Sequence, residues 1–400
     1  MTHRRGKEEK RVVGMVFTAL LVALSLRGTY FHNHHASRVA LVSENVRSRC
    51  FVQPDYSEYC ILENACVSRA GLLVPVALQR LKYEGFGIST QTNLPTVNLS
   101  KFHQLPLRAY INLLVDPVVF SRALRGDTTS GIFLIAPDDK KGNNPFHFAQ
   151  SAMFAFHESL WVNDYKQYST AIIFRQRPLP GSWVDGLTEQ LFGKMKVIYS
   201  DELATPLCGK KVYVPGTTVG MLQGPYEAHL FRSRVYSNLG IKPKILNRAH
   251  LRVTILERVK RRVTNVDEIT QILEERRLSY RSVQLDLLSF KEQVTLMSET
   301  DLLIAAHGAD LTNVMFMQQE SAVLELFPSE VWYYELYGKI ARNSGLFYTY
   351  ALGDQVHTSA TSIAECFESA CLTELKRDFK VPSDRLRTSL KHALSLLGSL

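Results

Sequence analysis

The stretch LLIAAHGADLTNVMFMQQESAVLELFP, residues 302–328, decides the fold class. It contains two apolar runs. The first is followed by His307 and a turn of small residues, and the second begins at Ala322 after a polar stretch. Short apolar runs bounded by turn residues are typical of buried strands. We therefore predict a strand at 301–306, a short helix at 310–317 and a strand at 322–327.

Outward from this stretch, strands and helices continue to alternate. The run at 251–256 is rich in β-branched residues, and Thr264 and Ser289 each stand at the spacing of a capping box. These patterns predict, in order, a strand at 251–256, a helix from 264 to about 276, a strand at 282–286, a helix from 289 to 298, a helix at 331–343 and a strand at 346–350. Such alternation is typical of a parallel, doubly wound sheet, so we expect a Rossmann-like domain in this half.

The first half of the chain has a less regular α/β pattern. Apolar residues recur at helical spacing between Pro145 and Trp161, which predicts a helix there. Short strands are predicted at 109–115, 132–136, 170–174, 196–199 and 211–214. A chain of 400 residues suits two α/β domains. The expected organisation is a basic tail at 1–11, a signal anchor at 12–26, a stem at 27–48, an N-terminal domain at 49–240, the Rossmann-like domain at 241–355 and a helical extension at 356–400.

The N-terminus combines a basic start with an apolar run at 12–26. Cations before an apolar segment keep the N-terminus in the cytosol, but this run is shorter than the roughly 17–25 residues of a full span. We expect a signal anchor, with a cleaved signal peptide as the alternative. Both interpretations place the remaining chain in the secretory lumen or outside the cell. The rest of the net charge of +9 is spread along the chain, which argues against a nucleic acid partner.

The cysteines agree with an oxidising compartment. The chain contains Cys50, Cys60, Cys66, Cys208, Cys366 and Cys371. No two of them form a C-x-x-C pair, which argues against zinc binding and thioredoxin-like chemistry. Nearness in sequence favours a Cys366–Cys371 disulfide and one pair within the cluster at 50–66. Asn98 begins an N-glycosylation sequon that would face the lumen.

Two segments at predicted strand ends carry the chemistry. In an open parallel sheet, ligands bind beyond the carboxyl ends of the strands. The first segment, at 257–262, is rich in arginine and lysine and can clamp a diphosphate. In the second, the turn at 307–309 opens a helix whose free N–H groups favour anions. Glu325 is a carboxylate within an apolar run and must be paired or bind a ligand, for which a ribose diol would serve.

The segment VTILERVKRRVTNVD (253–267) and the opening stretch resemble the two signature blocks of glycosyltransferase family 61. That family includes EGF-domain and protein O-mannose N-acetylglucosaminyltransferases and plant β-1,2-xylosyltransferases and arabinosyltransferases. Its arginines and its Asn–Glu/Asp helix start are matched here by Arg258, Arg262, Asn265 and Glu268. Its HGAGLTN-like loop is matched at 307–313, with Asp310 where glycine is frequent. In the first half, Asn144 and His147 match the family's N-x-x-H, and Ser151 stands where many members carry an acid.

The resemblance implies an α/β, GT-B-like fold of two Rossmann-like domains with a cleft between them, in which 49–240 faces the acceptor. It also implies an inverting transfer from a UDP-sugar to a glycan or glycoprotein hydroxyl, in the Golgi or endoplasmic reticulum. His147 is the expected base, ahead of Glu158, Asp164 and Asp185. The expected donor-binding residues are Arg258, Arg262, His307, Gly308, Ala309, Asn313 and Glu325. No D-x-D occurs in the chain, so we expect no metal and no cofactor besides the donor.

Two other functions remain open at this point. One is a GT-B transferase of another family that uses GDP-fucose. The other is a non-catalytic member that serves as a binding or scaffolding protein, which Ser151 favours.

Overall fold

The computed structural model describes residues 61–69, 128–135, 144–160, 166–214, 221–329, 336–354 and 377–398 in full. Of residues 48–52, 58–60, 71–73, 96–98, 112–114 and Trp161 it describes the backbone alone. Within these residues no helix combines the length and apolarity that a membrane span requires. The predicted anchor at 12–26 lies outside the described residues, as do Asp164 and the cysteines at 366 and 371.

The first half forms a mixed sheet. Its strands are β1 (Ser48–Val52), β2 (Glu58–Ser68), β3 (Gly71–Leu73), β4 (Thr96–Asn98), β5 (Asn112–Leu114), β6 (Thr128–Ile135), β7 (Thr170–Ile173), β8 (Lys196–Tyr199) and β9 (Leu207–Val214). They lie in the order β4-β5-β3-β2-β9-β6-β7-β8, and β1 pairs with β2. The strands β9, β6, β7 and β8 form a parallel block, and β3 pairs parallel with β5. This sheet is therefore less purely parallel than the Rossmann-like prediction, because β2 joins the block antiparallel to β9.

The described part of the first half also contains three α-helices. They are α1 (Pro145–Trp161), α2 (Trp183–Phe192) and α3 (Pro225–Leu239). The sequence predicted α1 and missed the other two. Ser182 caps α2 by accepting a hydrogen bond from the N–H of Asp185, and α3 begins with proline in its first turn and ends at Gly240 in the left-handed conformation. Both helices thus carry ordinary start and stop signals.

The second half forms a fully parallel sheet. Its strands are β10 (Arg252–Leu256), β11 (Ser279–Val283), β12 (Leu302–Ala306), β13 (Ala322–Phe327) and β14 (Phe347–Leu352). They lie in the order β11-β10-β12-β13-β14, the doubly wound arrangement that the sequence predicted. The α-helices described in this half are α4 (Val266–Glu275), α5 (Phe290–Ser298), α6 (Leu336–Asn343) and α7 (Ser383–Leu396), and the longest described 3₁₀ segment spans Ala309–Phe316. Strand order reverses between β10 and β12, so the loops after these two strands diverge and leave a crevice above the sheet.

The two halves share a hydrophobic core. Phe146 of α1 and Phe231 of α3 belong to the same buried cluster as Ala305 of β12 and Val323 of β13. A polar contact joins the halves as well, since Nε1 of Trp183 donates to Oδ1 of a buried asparagine of the 3₁₀ segment at 2.8 Å. The start of α1 is therefore held against the carboxyl end of the parallel sheet.

A second core lies on the opposite face of the parallel sheet. There α7 and the segment before it pack against the sheet and α4, with Val381, Leu386 and Leu390 fully buried. The predicted extension at 356–400 thus contributes, through residues 377–398, to the core of the preceding sheet.

The described disulfide joins Cys66 of β2 to Cys208 of β9, neighbouring strands of the mixed sheet. Cys66 therefore does not pair within the cluster at 50–66. The backbone register of β1 and β2 sets Cys50 opposite Cys60, which leaves these two as the pair to expect within the cluster. The sequon residue Asn98 ends β4.

Candidate functional site

A cavity of about 380 Å³ opens at the point where the order of the parallel strands reverses. Small-molecule sites usually measure about 300–1,000 Å³, so the cavity has the size of a ligand site. The loop after β10, the end of β11, the start of the 3₁₀ segment and the start of α1 all contribute to it. The residues that line it are Asn144, Pro145, Glu257, Arg258, Val259, Lys260, Gln284, Leu285, Asp286, Ala309 and Asp310.

Arg258 is the central cation of this cavity. Its Nη1 donates to Oδ2 of Asp310 at 2.6 Å, and both side chains are about four-fifths buried, with 21% and 24% of their surface exposed. The guanidinium lies flat over Gly308, where an added Cβ would be 2.2 Å from Nη1. The glycine of the small-residue turn thus makes room for the arginine in the loop after β10.

Arg261 reaches the same loop from the other side. Its backbone adopts a φ of 60°, and its Nη1 donates to the carbonyl oxygen of His307 at 2.8 Å. Burial lowers the pKa of Arg261, and the nearby Arg258 lowers it further. Two guanidinium groups at such close quarters repel each other, and an anion placed between them would relieve that repulsion.

Two of the predicted donor-binding residues have other partners. Arg262 pairs with Asp378, and its side chain is 64% exposed. Asn313 is buried; its Oδ1 accepts the bond from Trp183, and its Nδ2 donates to the carbonyl of Asp310. Neither residue lines the cavity.

His307 and Glu325 form a buried hydrogen-bonded pair beneath the loop. Nδ1 of His307 lies 2.5 Å from Oε1 of Glu325, and Oη of Tyr348 donates to Oε2 at 2.7 Å. Glu325 has no exposed surface, and both of its oxygens are used within the protein. The predicted contact between Glu325 and a ribose diol therefore has no basis in this geometry; the carboxylate holds the histidine ring instead.

Aromatic rings fix the histidine from two other directions. Phe327 stacks on His307 with ring centroids 4.9 Å apart, and Tyr337 meets its edge at 5.2 Å. Burial raises the pKa of Tyr337, and Glu325 adds to that shift. Tyr337 also contacts Phe146, so the start of α1 packs on the same cluster.

The start of α1 faces the cavity through Asn144 and Pro145. His147 follows within the first turn, where its Nδ1 is buried and has no hydrogen-bond partner among the described residues. Ser151, one turn further, is buried, as is Glu158. Asp185 caps the turn at Gly181, because its Oδ2 accepts from that backbone N–H at 2.8 Å.

Several cavity residues escaped the sequence prediction. Arg261, and not Arg262, lies on the histidine loop, and Asp286 and Gln284 approach the cavity from beyond the end of β11. The sequence prediction ended this strand at 286, but β11 ends at Val283. With the correct end, the rule that ligands bind at strand ends would have identified Gln284 and Asp286. Among the described residues, no three His, Cys, Asp or Glu side chains form a metal-binding group.

Comparison with protein families matches residues 134–324 to Glycosyltransferase 61. The EGF domain-specific O-linked N-acetylglucosamine transferase of Xenopus laevis is 33% identical over 132 residues, which are 32% of this chain and 25% of that protein. The proteins of the same name from Rattus norvegicus and Mus musculus are each 31% identical over 139 residues, with the same coverage. The matched part thus spans about a quarter of the length of these relatives.

Among solved structures, the iron-containing dodecameric glycosyltransferase TibC from enterotoxigenic E.coli shares 10% sequence identity with this chain. The match covers 50% of this chain and 59% of TibC at a TM-score of 0.29, which is too low to support an argument. The mixed α/β fold with its parallel sheet therefore stands on the strand order itself.

Proposed function

We propose that this member of glycosyltransferase family 61 transfers a sugar from a UDP-sugar to a hydroxyl of a glycan or glycoprotein, with inversion at the anomeric carbon. The observation that carries this proposal is the cavity at the strand-order reversal, where Arg258 and the Gly308 turn face the start of α1. The same placement supports our proposal of a GT-B-like arrangement, with the donor on the parallel sheet and the acceptor on the α1 side.

In the proposed reaction, the acceptor oxygen attacks the anomeric carbon while the bond from that carbon to the diphosphate oxygen breaks. Negative charge then develops on the leaving diphosphate. Arg258 and Arg261 would meet that charge, together with the N–H groups at the start of the 3₁₀ segment. Such cations can take the part of a metal ion, so we propose a transfer that needs none.

The acceptor hydroxyl must give up its proton to a base. We propose His147 for this role because it follows Asn144 and Pro145 in the first turn of α1 and its Nδ1 has no hydrogen-bond partner among the described residues. Ser151 is buried one turn below, so the acid found there in many members has no counterpart facing the cavity.

We also propose that the protein works in the Golgi or endoplasmic reticulum as a single-pass protein, anchored through 12–26. The basic N-terminus and the Cys66–Cys208 disulfide support this location, because disulfides persist in oxidising compartments. The names of the relatives make N-acetylglucosamine the first sugar to test and an EGF domain the first acceptor.

The test is a thermal-shift and hydrolysis screen of the purified full-length chain against UDP, GDP, CMP and their sugars, with EDTA present. We expect stabilisation by UDP and slow hydrolysis of one UDP-sugar. Stabilisation by GDP alone would assign the chain to a GDP-fucose type of transferase. Nucleotide binding without turnover of any donor or acceptor would favour a non-catalytic role, and no stabilisation of a folded chain would refute the donor site.

A further inference from the structure

Arg258, the principal arginine of the cavity, already forms an ion pair with a carboxylate of the protein. Asp310 holds Arg258 at 2.6 Å, at the loop position where glycine is frequent in the family that the chain resembles. The cavity contains two more carboxylates, Glu257 and Asp286, against the cations Arg258 and Lys260. A site for a diphosphate is here lined by more negative than positive side chains.

A carboxylate and a phosphate compete for the same donors of an arginine. Both present oxygens that accept hydrogen bonds from the guanidinium edge, and both gain from its charge. One face of the guanidinium lies against Gly308, so a ligand cannot approach Arg258 from that side. A diphosphate that approaches Arg258 from the cavity therefore meets Asp310, and like charges so close destabilise each other.

We propose that Asp310 is an internal competitor for the donor site: its carboxylate occupies Arg258 in the unliganded protein and must be displaced or protonated before a nucleoside diphosphate binds. This inference rests on the proposed function, because it concerns the same donor. It makes Asp310 a residue that sets donor affinity without acting on the reacting atoms.

The surroundings of Asp310 make the competition dependent on pH. Burial raises the pKa of its carboxyl; Arg258 opposes that shift, Asp286 adds to it and Arg261 opposes it. Among the described residues, Glu257, Lys260 and Tyr337 also face the pair. A carboxyl with a raised pKa takes up a proton at a pH above its ordinary value of about 3.9, and protonation would release Arg258. Donor affinity is therefore expected to rise as the pH falls.

The test compares UDP binding to the full-length chain and to Asp310→Asn by isothermal titration calorimetry, with uridine as a ligand that lacks the diphosphate. Removing the competing charge should tighten UDP binding by about tenfold and leave uridine binding unchanged. Asp286→Asn is the matched control: it removes the same charge from the same cavity without breaking the pair, and should change the affinity less than about threefold. Asp310→Gly serves as a second variant should the asparagine protein fail to fold.

The same titrations, repeated at successively lower pH, test whether protonation of Asp310 releases Arg258. The difference in UDP affinity between Asp310→Asn and the wild type should shrink as the pH falls. Protonation of the phosphate groups of UDP affects both proteins alike and therefore cancels in this comparison. Equal UDP affinity of the wild type and both Asp310 variants would overturn the inference and leave the donor site intact. An equal gain from Asp286→Asn would also overturn it, since net charge alone would then explain the effect. Absence of UDP binding by all folded variants would refute the donor site and the inference together.

Discussion

Replacing Gly308 by alanine should displace Arg258 and weaken nucleotide binding. The new Cβ would lie 2.2 Å from Nη1, 2.6 Å from Cζ and 2.9 Å from Nη2 of Arg258. Non-bonded heavy atoms rest about 3.5–4.0 Å apart, so the guanidinium must retreat by about 1 Å or more and leave its place at the cavity. A hydrogen bond to a charged group contributes about 1.5–3 kcal/mol, so the loss of one such bond to UDP raises Kd by about 10–100-fold.

The assay is UDP binding by calorimetry, with unfolding measured in parallel. Gly308 has a φ of 158° and a ψ of 177°, a conformation that costs other residues about 1–3 kcal/mol, so some loss of stability is expected in any case. Gly224→Ala is the matched control, since no heavy atom lies within 4 Å of a Cβ built there.

A double-mutant cycle separates the displacement of Arg258 from the backbone cost. In an Arg258→Ala background, Gly308→Ala should cause no further loss of UDP affinity, although it should still lower stability. Unchanged affinity in the single Gly308→Ala protein would refute the reasoning. An equal loss of affinity in both backgrounds would refute it too, because the effect would then not pass through Arg258.

Three further predictions concern the packing around the site. Gly186→Ala should destabilise the fold by about 1–3 kcal/mol in urea unfolding, although alanine in a helix usually adds about 1 kcal/mol, because its Cβ would lie 2.2–2.5 Å from the base of the Phe290 ring. A gain in stability would show that the ring can move aside. Glu325→Ala should cost about 2–5 kcal/mol, because it removes the buried carboxylate that Nδ1 of His307 and Oη of Tyr348 contact, whereas Glu325→Gln should cost about 1 kcal/mol. Equal losses in the two variants, measured by the same unfolding assay, would contradict this account. Hydrogen bonds from Ser383, Lys380 and Asn265 lower the pKa of Glu268 to about 2, so the docking of α7 should be stable above the ordinary glutamate value of about 4.3 and weaken as the pH falls toward 2. The protection of α7 against hydrogen exchange, relative to the intrinsic rate at each pH, should therefore fall across this range in the wild type, and an identical profile in Glu268→Gln would refute the assignment.

The parallel sheet could be predicted because its signals are local. β12 and β13 are buried on both faces, so their apolar runs stand out, and the Ser289 capping box forms as its spacing indicated. The box expected at Thr264 does not form. Asn265 occupies the cap position, and its side chain bonds the backbone of Val381 in the packed C-terminal segment. Nothing in the local sequence indicates that distant partner.

The mixed sheet was harder to predict because its pattern is not local. β2 carries Glu63 and Asn64 in its middle and pairs with β9 across more than a hundred residues, so no continuous apolar run marks it. Helix α3 was missed because charged residues interrupt its apolar face, and two of them, Glu227 and Arg232, are buried by contacts with other elements.

The rule about strand ends predicted that the loops after β10 and β12 lie together, and residues of both loops line the cavity. The donor-binding role of these residues stays a prediction. Which of two consecutive arginines turns toward His307 depends on the left-handed backbone of Arg261, which no spacing reveals. The same holds for Glu325, whose partners His307 and Tyr348 come from the two neighbouring strands.

The central claim is that the donor nucleotide binds at the strand-order reversal, against the start of α1. The most direct measurement is hydrogen–deuterium exchange of the full-length chain with and without UDP. We predict that UDP slows exchange at 257–262, at 307–313 and at 144–150. Slower exchange along β11 and α5 instead, or stabilisation by UDP with no change in these three segments, would contradict the claim.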